Sequence, residues 1–241
     1  MAQSTNIKQV ARQDTIRMLL AIAAQKGWKI CQLDVKSAFL NEFLEEEIYV
    51  EQHEVTSSNV ELIQQFKDDM MQVLEMTDLG EMSYFLGMEV KQNEGDMFIS
   101  QRKYAKEILK KFNMENCKDM NTPMCQKEKL CKDYGSEQVE EVLYRSLIGC
   151  LMYLTTTKPN ILYPVSVLSR FMNCAKEFHF KAAKRVLRYV KETLNYGMKF
   201  SQSQDFKLQG YSDSDWAGSL DDMKSTSGNC FSFRSGMFSW N

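Results

Sequence analysis

Residues 27–40, Gly27-Trp28-Lys29-Ile30-Cys31-Gln32-Leu33-Asp34-Val35-Lys36-Ser37-Ala38-Phe39-Leu40, join a helical pattern to a strand pattern. Ahead of them, Asp14 is placed to cap a helix whose apolar residues Ile16, Leu19, Leu20 and Ala23 recur at helical spacing, and Gly27 supplies its stop. Lys29 to Asp34 then reads as a strand, Lys36 to Glu47 as a connecting turn region, and Glu47 to Gln52 as a second strand with alternating side chains. Asp34 is left at a strand end, from which a carboxylate can hold magnesium beside a nucleotide's phosphates. Taken alone, an aspartate in that position is more often a turn or cap residue.

Further along, Val60, Ile63, Phe66, Met70, Val73 and Leu74 make a helical stripe, with Gln64, Lys67 and Asp68 expected to face water and the helix to end near Thr77 to Gly80. Two strands, Ser83 to Lys91 and Asp96 to Gln101, flank Asn93-Glu94-Gly95, where the glycine suits a hairpin. Tyr104, Ala105, Ile108, Leu109 and Phe112 share a helical face, and Pro123 with the polar Cys125 to Gly135 stretch reads as a linker. Leu143, Leu147, Leu151 and Leu154 predict a helix over Glu137 to Thr155, Pro159 opens another to Met172, and a third begins near Glu177. Beyond Gly197, Phe206 to Tyr211, Asn229 to Arg234 and Met237 to Trp240 are short β-like runs. The fold class expected is α+β.

The 241 residues, 44% hydrophobic and 26% charged, suffice for a sizeable core in more than one unit. A net charge of −2 excludes a global positive field, so any nucleic-acid contact needs a local basic patch. The first ten residues lack a secretory leader pattern, and Met18 to Ala24 is too short an apolar run to cross a bilayer; the expectation is a cytoplasmic or nuclear protein with no membrane partner. Seven cysteines without close pairing read as reduced packing residues. His53 and His179, the two histidines, give a histidine metal cage or a serine triad little material.

The stretch from Ala11 to Gln52, with its Leu-Asp-Val-Lys-Ser-Ala-Phe-Leu core, resembles the opening of the copia-type retrotransposon reverse transcriptase. Val55 to Val90 resembles the segment beyond that family's Tyr-Val-Asp-Asp hairpin, Phe85 to Gln101 its next hairpin, and Lys103 to Phe112 the start of its thumb. Tyr144 to Leu154, Leu168 to Met172 and Ala182 to Tyr189 are similar to its connection helices, and Gly210 to Gly218 with Lys224 to Gly228 to the first strand and turn of its ribonuclease H. The resemblance implies four segments: a reverse transcriptase remnant (1–54), a palm end and thumb-like segment (55–125), a helical connection (126–200) and a truncated ribonuclease H-like meander (201–241). It also implies that magnesium is the family's cofactor, RNA and DNA its partners, Asp34 the first polymerase ligand with Phe39 near the incoming nucleotide, and Asp213, with Asp215, a ribonuclease H metal ligand.

The paired-aspartate hairpin is missing, because Glu54 runs straight into Val55. Asp68 and Asp69 are no substitute, since neighbours on a helix point about 100° apart. A two-metal mechanism needs several converging carboxylates, so the expectation is an internally deleted, C-terminally truncated and inactive fragment. Departures from the family pattern at Glu42, His53 and Lys158-Pro159-Asn160 bear on local turns. The alternative reading is a domesticated binding module using the basic helix 177–194, where Lys181, Lys184, Arg185, Arg188 and Lys191 could meet a phosphate backbone. Met237 to Trp240 is expected to form an open edge prone to aggregation unless the helix near Ala182 to Val190 covers it.

Overall fold

The first helix, α1 (Gln13–Lys26), stops where Gly27 adopts a left-handed backbone at φ 68° and turns its N–H back onto the carbonyls of Ala23 and Ala24. Arg12 occupies the N-cap without a side-chain bond; Asp14 sits inside the first turn and pairs with Arg17 instead of capping. The computed structural model describes residues 12–35, 60–73, 76–125, 130–132, 135, 137–203, 206–216, 218 and 221–241. The chain forms two compact units, one of Trp28–Ser83 and one of Met1–Gly27 with Tyr84–Asn241.

In the smaller unit, β1 (Cys31–Val35) pairs antiparallel with β2 (Met76–Glu81), alongside helix α2 (Val60–Val73). The helix ends earlier than its apolar spacing suggests, because Thr77 to Gly80 are extended in β2 and paired with β1. Lys67, expected to face water, lies 2.7 Å from the Asp78 carboxylate, whereas Phe66 of the expected buried stripe is exposed. The expected strand Glu47 to Gln52 lies outside the described residues.

The larger unit contains an antiparallel sheet of order β3 (Tyr84–Phe85), β4 (Met88–Asn93), β5 (Asp96–Ser100) and β6 (Met198–Ser201). The hairpin expected over Ser83 to Gln101 is present, with an added tight turn at Leu86-Gly87, where φ values of 44° and 74° fit the strand twist. The strand that carries Asp34 and the hairpin over Ser83 to Gln101 lie in different sheets. β1 pairs with β2, while the edge of β5 is taken by β6, from Asp96 opposite Ser201 to Ile99 opposite Met198. Met88, Val90, Met97, Ile99 and Phe200 bury one side of this sheet.

Four helices follow from the apolar spacing: α3 (Arg102–Lys111), α4 (Glu141–Leu154), α5 (Leu162–Ser169) and α6 (Glu177–Glu192). Pro159 opens a single 3-10 turn ahead of α5, as a residue without an N–H can in a first turn. Ile108, Leu147, Leu151, Leu168, Val186 and Leu187 are in the shared core. The α4 stripe is rotated from the leucine pattern: Leu143 is exposed while Tyr144 is buried and donates its hydroxyl to the Leu168 carbonyl at 2.9 Å. Burial pushes the Tyr144 phenol pKa up.

The C-terminal meander has order β7 (Leu208–Ser214), β8 (Ser227–Phe233) and β9 (Gly236–Trp240). As expected, β9 is an outer strand of this sheet, and the element packed on it is α1. Buried Arg17 donates from Nε to the Phe238 carbonyl at 2.7 Å and from a terminal nitrogen to the Thr156 carbonyl at 3.1 Å. Its guanidinium lies 3.8 Å over the Trp240 ring. Phe233 stacks on Phe206 and Phe238 with ring centroids 4.6 and 4.5 Å apart. Sequence periodicity shows which residues want cover but not which distant helix provides it.

Candidate functional site

Asp34 is exposed in β1, opposite Thr77. The nearest acid in the ladder, Asp78, stands opposite Leu33, so strand alternation sends the two carboxylates to opposite faces. Asp78 is also engaged: Lys67 Nζ donates to it at 2.7 Å and the Gly80 N–H at 2.8 Å, which together hold its carboxyl below the usual range. On α2, Asp68 accepts from Gln64 at 2.9 Å, and Asp69 points away along the helical turn. Phe39 lies outside the described residues.

Asp213 is the penultimate residue of β7, exposed and opposite Gly228. Asp215 follows the strand. Its carboxylate accepts the Thr226 N–H, and its own N–H donates to the Thr226 carbonyl at 3.0 Å, closing the neck of the loop between β7 and β8. Asp213 and Asp215 line a common cavity of about 300 Å³ with Tyr163, Ser166, Thr226 and Ser227. The other loop acids serve local contacts: Asp221 accepts the Lys132 N–H at 3.1 Å, and Asp222 pairs with Lys224 at 2.8 Å. Among the described residues, no three of His, Cys, Asp and Glu are grouped as a metal cage, and Asp34 belongs to a different unit from Asp213 and Asp215.

The five basic residues of α6 have distinct surroundings. Arg185 donates to the carbonyl and hydroxyl of Thr122 at 3.3 and 2.8 Å, and Arg188 to the Lys118 carbonyl at 2.6 Å. Lys191 donates to the Cys117 carbonyl at 2.5 Å and lies 3.1 Å from Asp119. These three clamp residues 117–122 onto the helix. Lys184 lies 4.3 Å over the Phe180 ring, and Lys181 reaches Glu177 at 3.9 Å. The positive charge of the helix is legible in sequence; the carbonyls that meet it come from 63 to 74 residues away.

His179 is buried and stacks on Phe171 at 4.0 Å. The Lys176 N–H donates to Nδ1 at 3.1 Å, so the proton is on Nε2, which donates to the Cys131 carbonyl at 3.1 Å. Burial pushes its pKa down. It is a packing histidine, as its isolation in the sequence suggests, while His53 lies outside the described residues. All seven cysteines are free thiols. Sequence reasoning gave no role to Lys158, which is buried and donates from Nζ to the carbonyls of Thr193 and, at 3.2 Å, Tyr196 beyond the end of α6. Burial pushes its pKa down to about 8. A lysine before a proline carries no signal of such burial.

The family described as reverse transcriptase (RNA-dependent DNA polymerase) matches the chain twice, over residues 4–54 and again over residues 48–126. The Retrovirus-related Pol polyprotein from transposon RE1 of Arabidopsis thaliana is 37% identical over 181 residues, 75% of this chain and 12% of that protein. The chain belongs to the copia-type reverse transcriptase family. The Pol polyprotein from transposon TNT 1-94 of Nicotiana tabacum is 30% identical over 311 positions, covering 96% of this chain and 23% of the relative. The copia-type Pol segment therefore spans under a quarter of these polyproteins. An uncharacterized mitochondrial protein of Arabidopsis thaliana, AtMg00810, is 34% identical over 194 residues, 80% of each chain. No solved structure matches. Among the described residues no helix is long and apolar enough to cross a membrane.

The two family matches overlap at residues 48–54, across which the Glu54–Val55 join falls at its C-terminal end. The alignment with TNT 1-94 runs over more positions than this chain has residues, so that relative carries residues this chain lacks.

Proposed function

We propose that this Pol segment is a catalytically inactive remnant of a copia-type reverse transcriptase, with the palm's paired-aspartate hairpin lost by internal deletion at the Glu54–Val55 join. The observation that carries the reading is the double family match around that join in a chain that contains no Tyr-Val-Asp-Asp. Phosphoryl transfer by two metals requires carboxylates that clamp ions about 4 Å apart. Asp34 faces away from Asp78, whose oxygens are already held by Lys67 and Gly80, so the residues described do not fit a magnesium pair. We read β7 to β9 as the ribonuclease H-like meander; there Asp215 spends its carboxylate on the Thr226 N–H and closes a loop. Primer extension on an RNA template with magnesium or manganese is expected to stay at background. Extension that disappears in Asp34→Asn would overturn the polymerase reading, and hydrolysis of an RNA–DNA hybrid lost in Asp213→Asn would overturn the ribonuclease H reading.

The binding-module alternative is less well supported, because Arg185, Arg188 and Lys191 hold residues 117–122. It predicts RNA binding that falls steeply with salt and with charge removal at Lys181 and Lys184. Salt-independent or absent binding supports the inactive-remnant reading.

A further inference from the structure

A cavity of about 290 Å³ lies between residues 120–125 and the helices α5 and α6, all within the larger unit. Its walls include Met120, Met124, Leu130, Leu168, Phe178 and Val186, and Lys181, Arg185 and Arg188 line it as well. Arg185 and Arg188 are partly buried and bonded to neutral acceptors, the carbonyl and hydroxyl of Thr122 and the carbonyl of Lys118. The carboxylates nearby are engaged elsewhere: Asp119 lies 3.1 Å from Lys191, and Glu177 lies 3.9 Å from Lys181. Among the described residues neither guanidinium has an ion-pair partner. A guanidinium carries five N–H donors. Among the described residues Arg188 keeps both terminal nitrogens, and Arg185 one, without an acceptor.

We propose that this cavity binds an aliphatic carboxylate of medium chain length, with its chain among the apolar walls and its head on Arg185 and Arg188. Two positive charges answered only by neutral groups are complemented by an anion, and the two oxygens of a carboxylate match the paired N–H groups of a guanidinium. An inorganic anion would meet the charge but leave the apolar walls in contact with water. A phosphate backbone, polar along its whole length, would do the same. Met120 and Met124 suit an unbranched chain, because flexible thioether side chains adapt to an irregular shape. Apolar walls with a few convergent polar groups are the usual form of a small-molecule site. The volume is at the lower end of the ~300–1,000 Å³ such sites span, which suits a chain of about eight carbons and is too small for a two-chain lipid.

The test is calorimetric titration of octanoate into the full chain, which should show saturable binding with a dissociation constant below about 1 mM. Octan-1-ol lacks the charge and acetate lacks the chain, so each should bind at least about tenfold more weakly. Arg188→Gln should weaken octanoate binding by about tenfold, and Arg188→Lys, which keeps the charge without the fork, by less. Ala182 also lines the cavity; Ala182→Leu fills space there while leaving every charge in place, and should abolish saturation. Val142→Lys, at an exposed position on α4 outside the cavity, should leave binding unchanged. Far-UV circular dichroism checks that each variant folds, and the comparison of the three ligands on the wild type needs no variant. Absence of saturable octanoate binding, octan-1-ol or acetate binding as tightly as octanoate, or a folded Ala182→Leu or Arg188→Gln that binds octanoate as the wild type does would each overturn the proposal.

Discussion

Replacing Lys158 with methionine tests whether a desolvated ammonium sits beyond the end of α6. In the folded chain Nζ donates to the Thr193 and Tyr196 carbonyls, and burial lowers its pKa from 10.5 to about 8. Between those values the unfolded chain holds a proton that the folded chain has released, so stability rises with pH across that window. The contribution is fully present above the unfolded pKa and is lost as pH falls through about 8. At ~1.4 kcal/mol per unit the whole shift amounts to roughly 3 kcal/mol, of which about 2 kcal/mol should appear between about pH 7 and about pH 9.5. Methionine removes the titration and also leaves two carbonyls without their donor, which costs ~1–3 kcal/mol for each unsatisfied buried group. At neutral pH these effects oppose each other, so the informative quantity is the slope. Urea unfolding of wild type and Lys158→Met across this range should give a stability difference that grows in favour of the wild type by about 2 kcal/mol. Thiols and phenols common to both chains cancel in that difference. Parallel curves would refute the reasoning, because they would mean that the ammonium keeps its hydration after folding.

Gly197→Ala should destabilise the larger unit by more than about 2 kcal/mol in denaturant unfolding, since overpacking costs ~1–3 kcal/mol or more. A Cβ there would lie 2.2 Å from the Ile99 carbonyl oxygen and 2.7 Å from the Phe98 ring; an unchanged midpoint would contradict this close approach. Arg17→Met removes the donors to Phe238 and Thr156 and the contact with Trp240, so limited proteolysis should speed up selectively after Phe206. Equal acceleration throughout the chain would count against α1 as the cover of β9. His179 has a pKa lowered by burial, so the stability of its neutral form is present above the ordinary imidazole pKa and is lost as pH falls through the folded value. His179→Gln should flatten the acid side of the stability curve, and an unaltered acid limb would show that the ring takes up its proton as readily in the folded chain as in the unfolded one.

The elements most legible in the sequence are those set by local periodicity and punctuation. Gly27 ends α1, Pro159 opens the turn before α5, and the Glu94-Gly95 connection joins β4 to β5, each because backbone geometry at that residue is restricted or permitted by its own side chain. Lys67 and Leu143 depart from the average polarity of their helix faces for a shared reason. A helical stripe tells which face is apolar on average, while an Asp78 across the unit or a rotation that buries Tyr144 decides which borderline residue goes inside.

The candidate site divides in the same way. The family resemblance, the missing paired aspartates and the basic character of α6 are legible in the residue order alone, since they are matters of which residues are present and where. Folding settles that β1 and β5 enter different sheets, that Arg185, Arg188 and Lys191 bind backbone carbonyls, that Lys158 is buried, and that α1 packs on β9 while β7 stays exposed. The physical reason is that each of those outcomes is a contest among partners distant along the chain. Hydrogen-bonding groups and apolar faces fix what must be satisfied, and the packing of the folded chain fixes by whom.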